Sequence, residues 1–274
     1  MPNLFATSDL HVTHRGNAPL VDSVRPDSPE DWLLVAGDVG ERVDAVIETL
    51  AVLRARFAKV VWVPGNHELW TTPNDPVQAR GQERYDELVR RCRAIGVDTP
   101  EDEFPVWEHA ARPLTIAPLF VLYDYSWRTP AAEGRSLDEA LGQARDAGVV
   151  CTDEFYLHPE PHPSRADWCA QRLKLSQERL AAIPPGHGTV LMSHWPLHRH
   201  PTRPLHYPEF AMWCGTEETA DWHLRFRAEV AVYGHLHIPR TTYHEGVRFE
   251  EVSLGYPREW RKRARGAVPL RRIL

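Results

Sequence analysis

Five short apolar runs in this sequence each end in a polar cluster equipped for chemistry. Residues 4–8 precede Asp9 and His11, residues 32–36 precede Gly37 and Asp38, and residues 60–64 precede Gly65, Asn66, His67 and Glu68. Residues 189–193 precede His194, and residues 230–233 precede Gly234, His235 and His237. The pooled side chains Asp9, His11, Asp38, Asn66, His194, His235 and His237 are all oxygen or imidazole donors. Such a set suits Mn, Fe or Zn ions rather than a soft thiolate site. Seven donors are too many for one tetrahedral ion but suit two sharing a carboxylate. Paired ions about 3.5–4 Å apart clamp the attacking and leaving oxygens of an in-line displacement, so phosphoester hydrolysis is the natural use.

The elements that must position these groups are those of an α/β domain. Leu4–Thr7, Trp32–Ala36, Val60–Val63, Thr189–Met192 and Val230–Tyr233 are predicted as buried strands, with Val106–Trp107 and Leu114–Tyr123 added between the third and fourth. Over Val43–Phe57, the residues Val43, Val46, Ile47, Leu50 and Leu53 fall at steps of three and four, which makes one apolar helical face. Further helices are predicted over residues 79–95 and Asp167–Ile183, the latter stopped by Pro184–Pro185–Gly186. Thr241–Tyr243 and Val247–Val252 around Glu245–Gly246 read as a closing hairpin. Residues 127–165, rich in Pro, Gly and charge, read as a surface excursion with one weak helix near 136–146. In an open α/β sheet ligands sit beyond the carboxyl ends of the strands. Five polar clusters at strand ends therefore make one site.

Composition narrows the function. Among 274 residues there are 15 His but only 4 Cys, so imidazole is the abundant metal-capable side chain. Cys92, Cys151, Cys169 and Cys214 are widely spaced with no C-x-x-C pair, which suggests neither a zinc knuckle nor a disulfide framework and fits a reducing cytoplasm. No apolar run approaches the roughly 20 residues of a membrane span. The last 17 residues, 258–274, carry seven basic groups and one Glu, whereas residues 1–257 carry 25 basic and 37 acidic groups. An acidic body argues against nucleic-acid binding, which depends on phosphate neutralisation. The division expected is one domain over residues 1–257 followed by a basic C-terminal tail, 258–274, which is either a solvated terminus or a docking element. Walker, dinucleotide-glycine and nucleophile-elbow motifs do not occur, and His67-Glu68-Leu69-Trp70-Thr71 misses the zinc-protease H-E-x-x-H at its fifth position.

The ordered series D-x-H, G-D, G-N-H-E, a lone His after a strand, and G-H-x-H resembles the calcineurin-like metallophosphoesterase superfamily across residues 9–237. Longer strings at 62–70, 207–210, 213–216, 233–242, 246–253 and 256–260 resemble the actinobacterial phosphopantetheinyl hydrolases. The resemblance implies a four-layer α-β-β-α sandwich and a dinuclear-metal phosphodiesterase acting through metal-bridged hydroxide. It implies that Asp9, His11 and His237 hold one ion, Asn66, His194 and His235 the other, and that Asp38 bridges. It places His67 on the phosphate as the group that protonates the leaving oxygen. His67 is also the only imidazole of the five motifs outside that ligand set. Glu68 occupies a position where many members carry Asp, in support of His67.

The implied substrate is holo-acyl carrier protein, from which 4′-phosphopantetheine would be released. A phosphomonoesterase or nucleotide phosphodiesterase on a small molecule is the alternative, and a non-catalytic scaffold on this fold is a third. Mn and Fe are the expected metals, with Zn a further fit. His198, His200 and His206 lie in a Pro-rich stretch as candidates to line the cleft or as plain loop residues. Trp195, Tyr207, Trp213 and Trp222 could wall a substrate pocket or pack the core, and Tyr123, Asp124 and Tyr125 carry the same two readings.

Overall fold

The computed structural model describes residues 1–274. The first sheet carries β1 (Leu4–Thr7), β2 (Trp32–Val35) and β3 (Lys59–Trp62) in parallel, with α1 (Val43–Arg54) between the last two. Val43, Val46, Leu50 and Leu53 make the buried face of α1, as their spacing predicts. The one-turn helix α2 (Asn66–Leu69) follows β3, and α3 (Gly81–Ala94) then packs beside α1.

The second sheet begins with β4 (Val106–Trp107) and β5 (Leu114–Pro118). The strand expected to run to Tyr123 ends at Pro118, although Leu119–Tyr123 stay buried. The helices α4 (Leu137–Asp146), α5 (Asp153–Tyr156) and α6 (Arg165–Ala181) come next. Ser136 and Glu139 form a reciprocal capping box at the start of α4, and Ser164 caps α6. Then β6 (Gly188–Met192), α7 (Trp222–Arg225), β7 (Ala228–Tyr233), β8 (Arg240–His244) and β9 (Val247–Glu251) complete a six-stranded sheet, order β4-β5-β6-β7-β9-β8. The chain closes with α8 (Pro257–Trp260) and β10 (Arg271–Arg272).

Strand alternation builds the layers. Leu4, Ala6, Leu34, Ala36, Val61 and Val63 face Ile116, Val190, Met192, Val230 and Val232 in one apolar cluster between the sheets. Their neighbours Phe5, Leu33, Val35, Val60 and Trp62 turn the other way, into the larger cluster shared with α1 and α3. The result is the four-layer α-β-β-α sandwich. No helix is long and apolar enough to cross a membrane.

Two segments differ from the sequence expectation. Residues 127–165 are not merely surface, because Trp127, Ala140, Ala144, Cys151, Asp153 and Leu157 are buried. The basic tail folds back: β10 pairs antiparallel with β1, Ile273 enters the inter-sheet cluster, and Arg271 reaches the Glu250 carboxylate at 2.8 Å. A composition dominated by arginine conceals these apolar anchors, Ile273 together with the partly buried Trp260, Ala267, Leu270 and Leu274.

Candidate metal centre

Each strand end delivers its cluster to the same edge of the sandwich. Backbone bonds from Asp9 to Gly37 (2.9 Å), from His11 to Asp38 (3.0 Å) and from Gly234 to His194 (3.0 Å) lace the turns together. The Ser8–Ser253 bridge ties one sheet to the other. Eight non-glycine residues have left-handed backbone, and five of them are Asp9 (φ 54°), His11 (42°), Asp38 (54°), His235 (68°) and His237 (55°). Such a conformation costs a non-glycine residue about 1–2 kcal/mol, so it persists only where surrounding contacts impose it. Here it turns Asp9 and His11, and likewise His235 and His237, toward one centre. A Cβ on Gly234 would lie 2.2 Å from Asp9 Oδ2, and one on Gly65 would lie 2.1 Å from Asp38 Oδ1. Those glycines are what let the carboxylates approach.

All seven side chains expected as ligands come together in two groups. In the first, His237 Nε2 is 2.9 Å from Asp9 Oδ1 and 3.2 Å from His11 Nε2. In the second, Asn66 Oδ1 is 3.1 Å from His194 Nε2 and 3.2 Å from His235 Nδ1. Asp38 stands between them, its Oδ2 3.9 Å from His11 Nε2 and 3.5 Å from His194 Nε2.

The donor set fits cations. Nδ1 of His194 pairs with the Ala36 carbonyl at 2.8 Å and Nδ1 of His237 with Glu259 at 2.8 Å. Those partners accept hydrogen bonds from Nδ1–H, which leaves both Nε2 atoms facing the centre as the nitrogens available to a cation, the pattern of imidazoles oriented for a metal. The ligand-side nitrogens of His194 and His235 are only 3.2 Å apart, and His235 Nε2 and His11 Nδ1 are buried without partners. Burial, Asp9 and Glu68 push the Asp38 carboxyl well above its ordinary range. Burial opposes ionisation of Asp9 too, yet His237, His194 and His11 hold that carboxyl well below its ordinary range. Two neighbouring carboxyls driven in opposite directions mark a charge conflict that bound cations relieve.

Orienting partners complete the site, and the sequence reading missed them. Asn66 donates its amide to Asp153 Oδ1 at 2.9 Å, which turns its carbonyl oxygen to the centre. Ser253 donates to Asp9 Oδ2 at 2.8 Å. His67 Nδ1 meets Glu41 Oε1 at 2.9 Å. Glu68 does not support His67. Its carboxylate instead accepts the backbone N–H groups of Asp38 (2.8 Å), Val39 (2.7 Å) and Gly65 (2.9 Å), which pins the two turns. Burial raises the Glu68 carboxyl to about 7 against the pull of those bonds. Glu41 lies three residues past Asp38 in the same turn, a proximity that could have singled it out.

His67 is held between Trp70, with ring centroids 3.7 Å apart, and the Tyr256 hydroxyl, 3.3 Å from its Nε2. Tyr256 also stacks on His11 at 4.5 Å. A pocket of about 230 Å³ is lined by Asp38, Asn66, His67, Phe210, His235, His237 and Tyr256. His67 and Tyr256 are shared with an open cleft of about 610 Å³ whose other walls include His14, Glu41, Trp70, Arg258 and Arg261. The structure therefore offers a small polar pocket over the donor groups and a larger groove leading away from it.

Most other candidates fall outside this site, although the buried Trp195 ring packs on His194 and His235 with centroids 5.0 and 5.8 Å away. Trp195, Trp213 and Trp222 are buried in the core, as are Tyr123 and Tyr125, while Asp124 accepts the Thr216 hydroxyl at 2.7 Å. His206 and Tyr207 are exposed and pack on one another. His198 and His200 gather with His223 and His244 instead. Phe210, from the string at 207–210, stacks on His235 at 5.9 Å and does line the pocket.

A match to the calcineurin-like phosphoesterase family spans residues 2–239. The chain belongs to that family. It is a metal-dependent phosphoesterase on the fold the family shares. The [acyl-carrier-protein] phosphodiesterase PptH of Mycobacterium tuberculosis is 55% identical over 262 residues, which are 96% of this chain and 80% of the relative. The crystal structure of the phosphopantetheinyl hydrolase PptH from M. tuberculosis superposes with a TM-score of 0.96 at 54% identity, covering 100% of this chain and 96% of that one. A symmetrical bis(5′-nucleosyl)-tetraphosphatase of Aromatoleum aromaticum is 31% identical over 104 residues, 38% of this chain and 37% of its own.

Proposed function

We propose that this phosphoesterase cleaves the phosphodiester joining 4′-phosphopantetheine to a carrier-protein serine, releasing 4′-phosphopantetheine and the unmodified protein. The observation that carries the reading is the 55% identity over 96% of the chain to an acyl-carrier-protein phosphodiesterase. The groove of about 610 Å³ beside His67 has room for an extended arm, and Arg258 and Arg261 on its wall suit an acidic carrier protein. Four buried cysteines without disulfides fit work in the cytoplasm.

Asp9, His11 and His237 would hold one metal ion, Asn66, His194 and His235 the second, and Asp38 would be shared, with Mn or Fe the ions we favour and Zn the next. When bound, the pair supplies Lewis acidity that ionises water near neutral pH and neutralises phosphoryl oxygens. Asp153, Ser253, Glu259 and the Ala36 carbonyl fix the direction of the ligand atoms. His67 acts as the general acid: Glu41 holds Nδ1–H, and the protonated ring delivers its Nε2 proton to the serine oxygen as the P–O bond breaks. Water supplies the new oxygen on phosphorus. Tyr256, whose hydroxyl meets Nε2 of His67, covers that face until substrate enters.

A matched panel of holo carrier protein, cyclic nucleotides, dinucleoside polyphosphates and phosphomonoesters tests the assignment. The reading requires kcat/KM for holo carrier protein to exceed all the others. The partial match to a tetraphosphatase makes preference for a dinucleoside polyphosphate the second reading.

A further inference from the structure

Four of the histidines with no part in the catalytic centre, one buried and three half-buried, collect elsewhere in the fold. His223 lies on α7, His244 ends β8, and His198 and His200 come from the segment between β6 and α7. The His198 and His244 ring centroids are 4.0 Å apart, those of His198 and His223 5.7 Å, and those of His200 and His244 5.4 Å. Glu245 and Gly246, with φ of 48° and 83°, form the left-handed turn of the β8–β9 hairpin and present the Glu245 carboxylate beneath the rings.

Two imidazoles point the same nitrogen at one carboxylate oxygen. His223 Nε2 is 2.9 Å and His244 Nε2 is 3.4 Å from Glu245 Oε2, and the three ligand atoms lie within 4.8 Å of one another. An ion pair needs only one of those imidazoles. Ligand atoms about 2.0–2.1 Å from a tetrahedral zinc-class ion stand roughly 3.3–3.4 Å from each other; the His244–Glu245 pair already has that spacing at 3.4 Å, and the His223–Glu245 pair, at 2.9 Å, would open by a few tenths of an ångström around an ion. The His223 side chain is 1% exposed and its Nδ1 is buried without a partner.

The geometry points to a third metal site, separate from the catalytic pair, in which His223 Nε2, His244 Nε2 and the Glu245 carboxylate bind a divalent ion of the zinc class. Solvent completes the coordination, as the exposed side of Glu245 allows. His198 does not ligate: its Nδ1 accepts the His200 backbone N–H at 3.0 Å, which leaves the proton on Nε2. Its ring packs on His244 and orients it. An ion here would fasten the edge hairpin of the six-stranded sheet to α7.

The test is a Zn²⁺ titration of the holoenzyme, with its catalytic ions in place, by calorimetry and by metal analysis after gel filtration. Wild type should bind one further equivalent with a micromolar or tighter dissociation constant. His244→Gln and Glu245→Gln, both at a surface turn, should each weaken that event at least tenfold, while catalytic-pair content and turnover of a nitrophenyl diester stay unchanged. His200→Gln should leave it intact. Equal Zn²⁺ binding by wild type and both turn variants, or wild-type binding no tighter than millimolar, would overturn the site.

Discussion

Glu41 meets Nδ1 of His67 at 2.9 Å across 26 residues of sequence, while Nε2 of the same ring faces the Tyr256 hydroxyl at 3.3 Å. The carboxylate fixes the ring and its tautomer and so aims Nε2 at the leaving oxygen, which is the position a proton donor must hold. His67→Ala should therefore slow hydrolysis of an alkyl diester by about 10²–10⁴-fold, and Glu41→Gln by about tenfold. A nitrophenyl diester, whose leaving group needs no proton, should lose far less in both variants. Equal losses on the two substrates would remove the general-acid role.

The same contact gives a pH signature. Burial favours the protonated form of Glu41, but the His67 hydrogen bond and charge, with the Thr13 hydroxyl, bring it from 4.5 down to about 2. A carboxyl depressed in the folded protein stabilises it above the unfolded value and stops doing so as pH falls through the folded one. In metal-free protein the Tm gap between wild type and Glu41→Gln should be full above pH 4.5 and shrink from there toward pH 2. A gap independent of pH would contradict the assignment.

Asp153 is not itself an expected ligand, yet it turns the amide of one, Asn66. Asp153→Ala should leave that amide free to flip and weaken retention of one ion by about 10–100-fold, the usual cost of losing an orienting partner. Metal analysis after dialysis should find about one ion lost and the other kept. Two ions retained as in wild type would assign Asp153 to packing alone.

Arg258 and Arg261 wall the groove, while the arginine-rich end of the chain is tied into the sheet through β10. Point substitution is therefore a cleaner probe of docking than truncation. Arg258→Ser with Arg261→Ser should raise KM for holo carrier protein several-fold, reduce its salt dependence, and spare a nitrophenyl diester. Unchanged KM and salt dependence would leave the arginines without a docking role.

The convergence of the seven donor side chains was legible in the sequence because each cluster directly follows an apolar strand, so order along the chain maps onto position at one sheet edge. The orienting groups were not. Asp153 is 87 residues from Asn66 and lies in a segment whose Pro, Gly and charge content reads as surface. Glu259 reaches His237 from the basic tail, where net charge masks both this carboxylate and the Ile273 anchor. The family resemblance set Glu68 in support of His67, but in the one-turn helix α2 its side chain points back at the N–H groups of the preceding turns. Contacts made by a single polar residue across the fold leave no periodic trace.

Intact-mass analysis of holo-acyl carrier protein incubated with the metal-loaded enzyme tests the central claim most directly. The account predicts that the carrier loses the mass of one whole phosphopantetheine, that free 4′-phosphopantetheine accumulates in equal amount, and that Asp38→Asn shows neither. Holo carrier protein left unchanged by an enzyme that still turns over a nitrophenyl diester would contradict it.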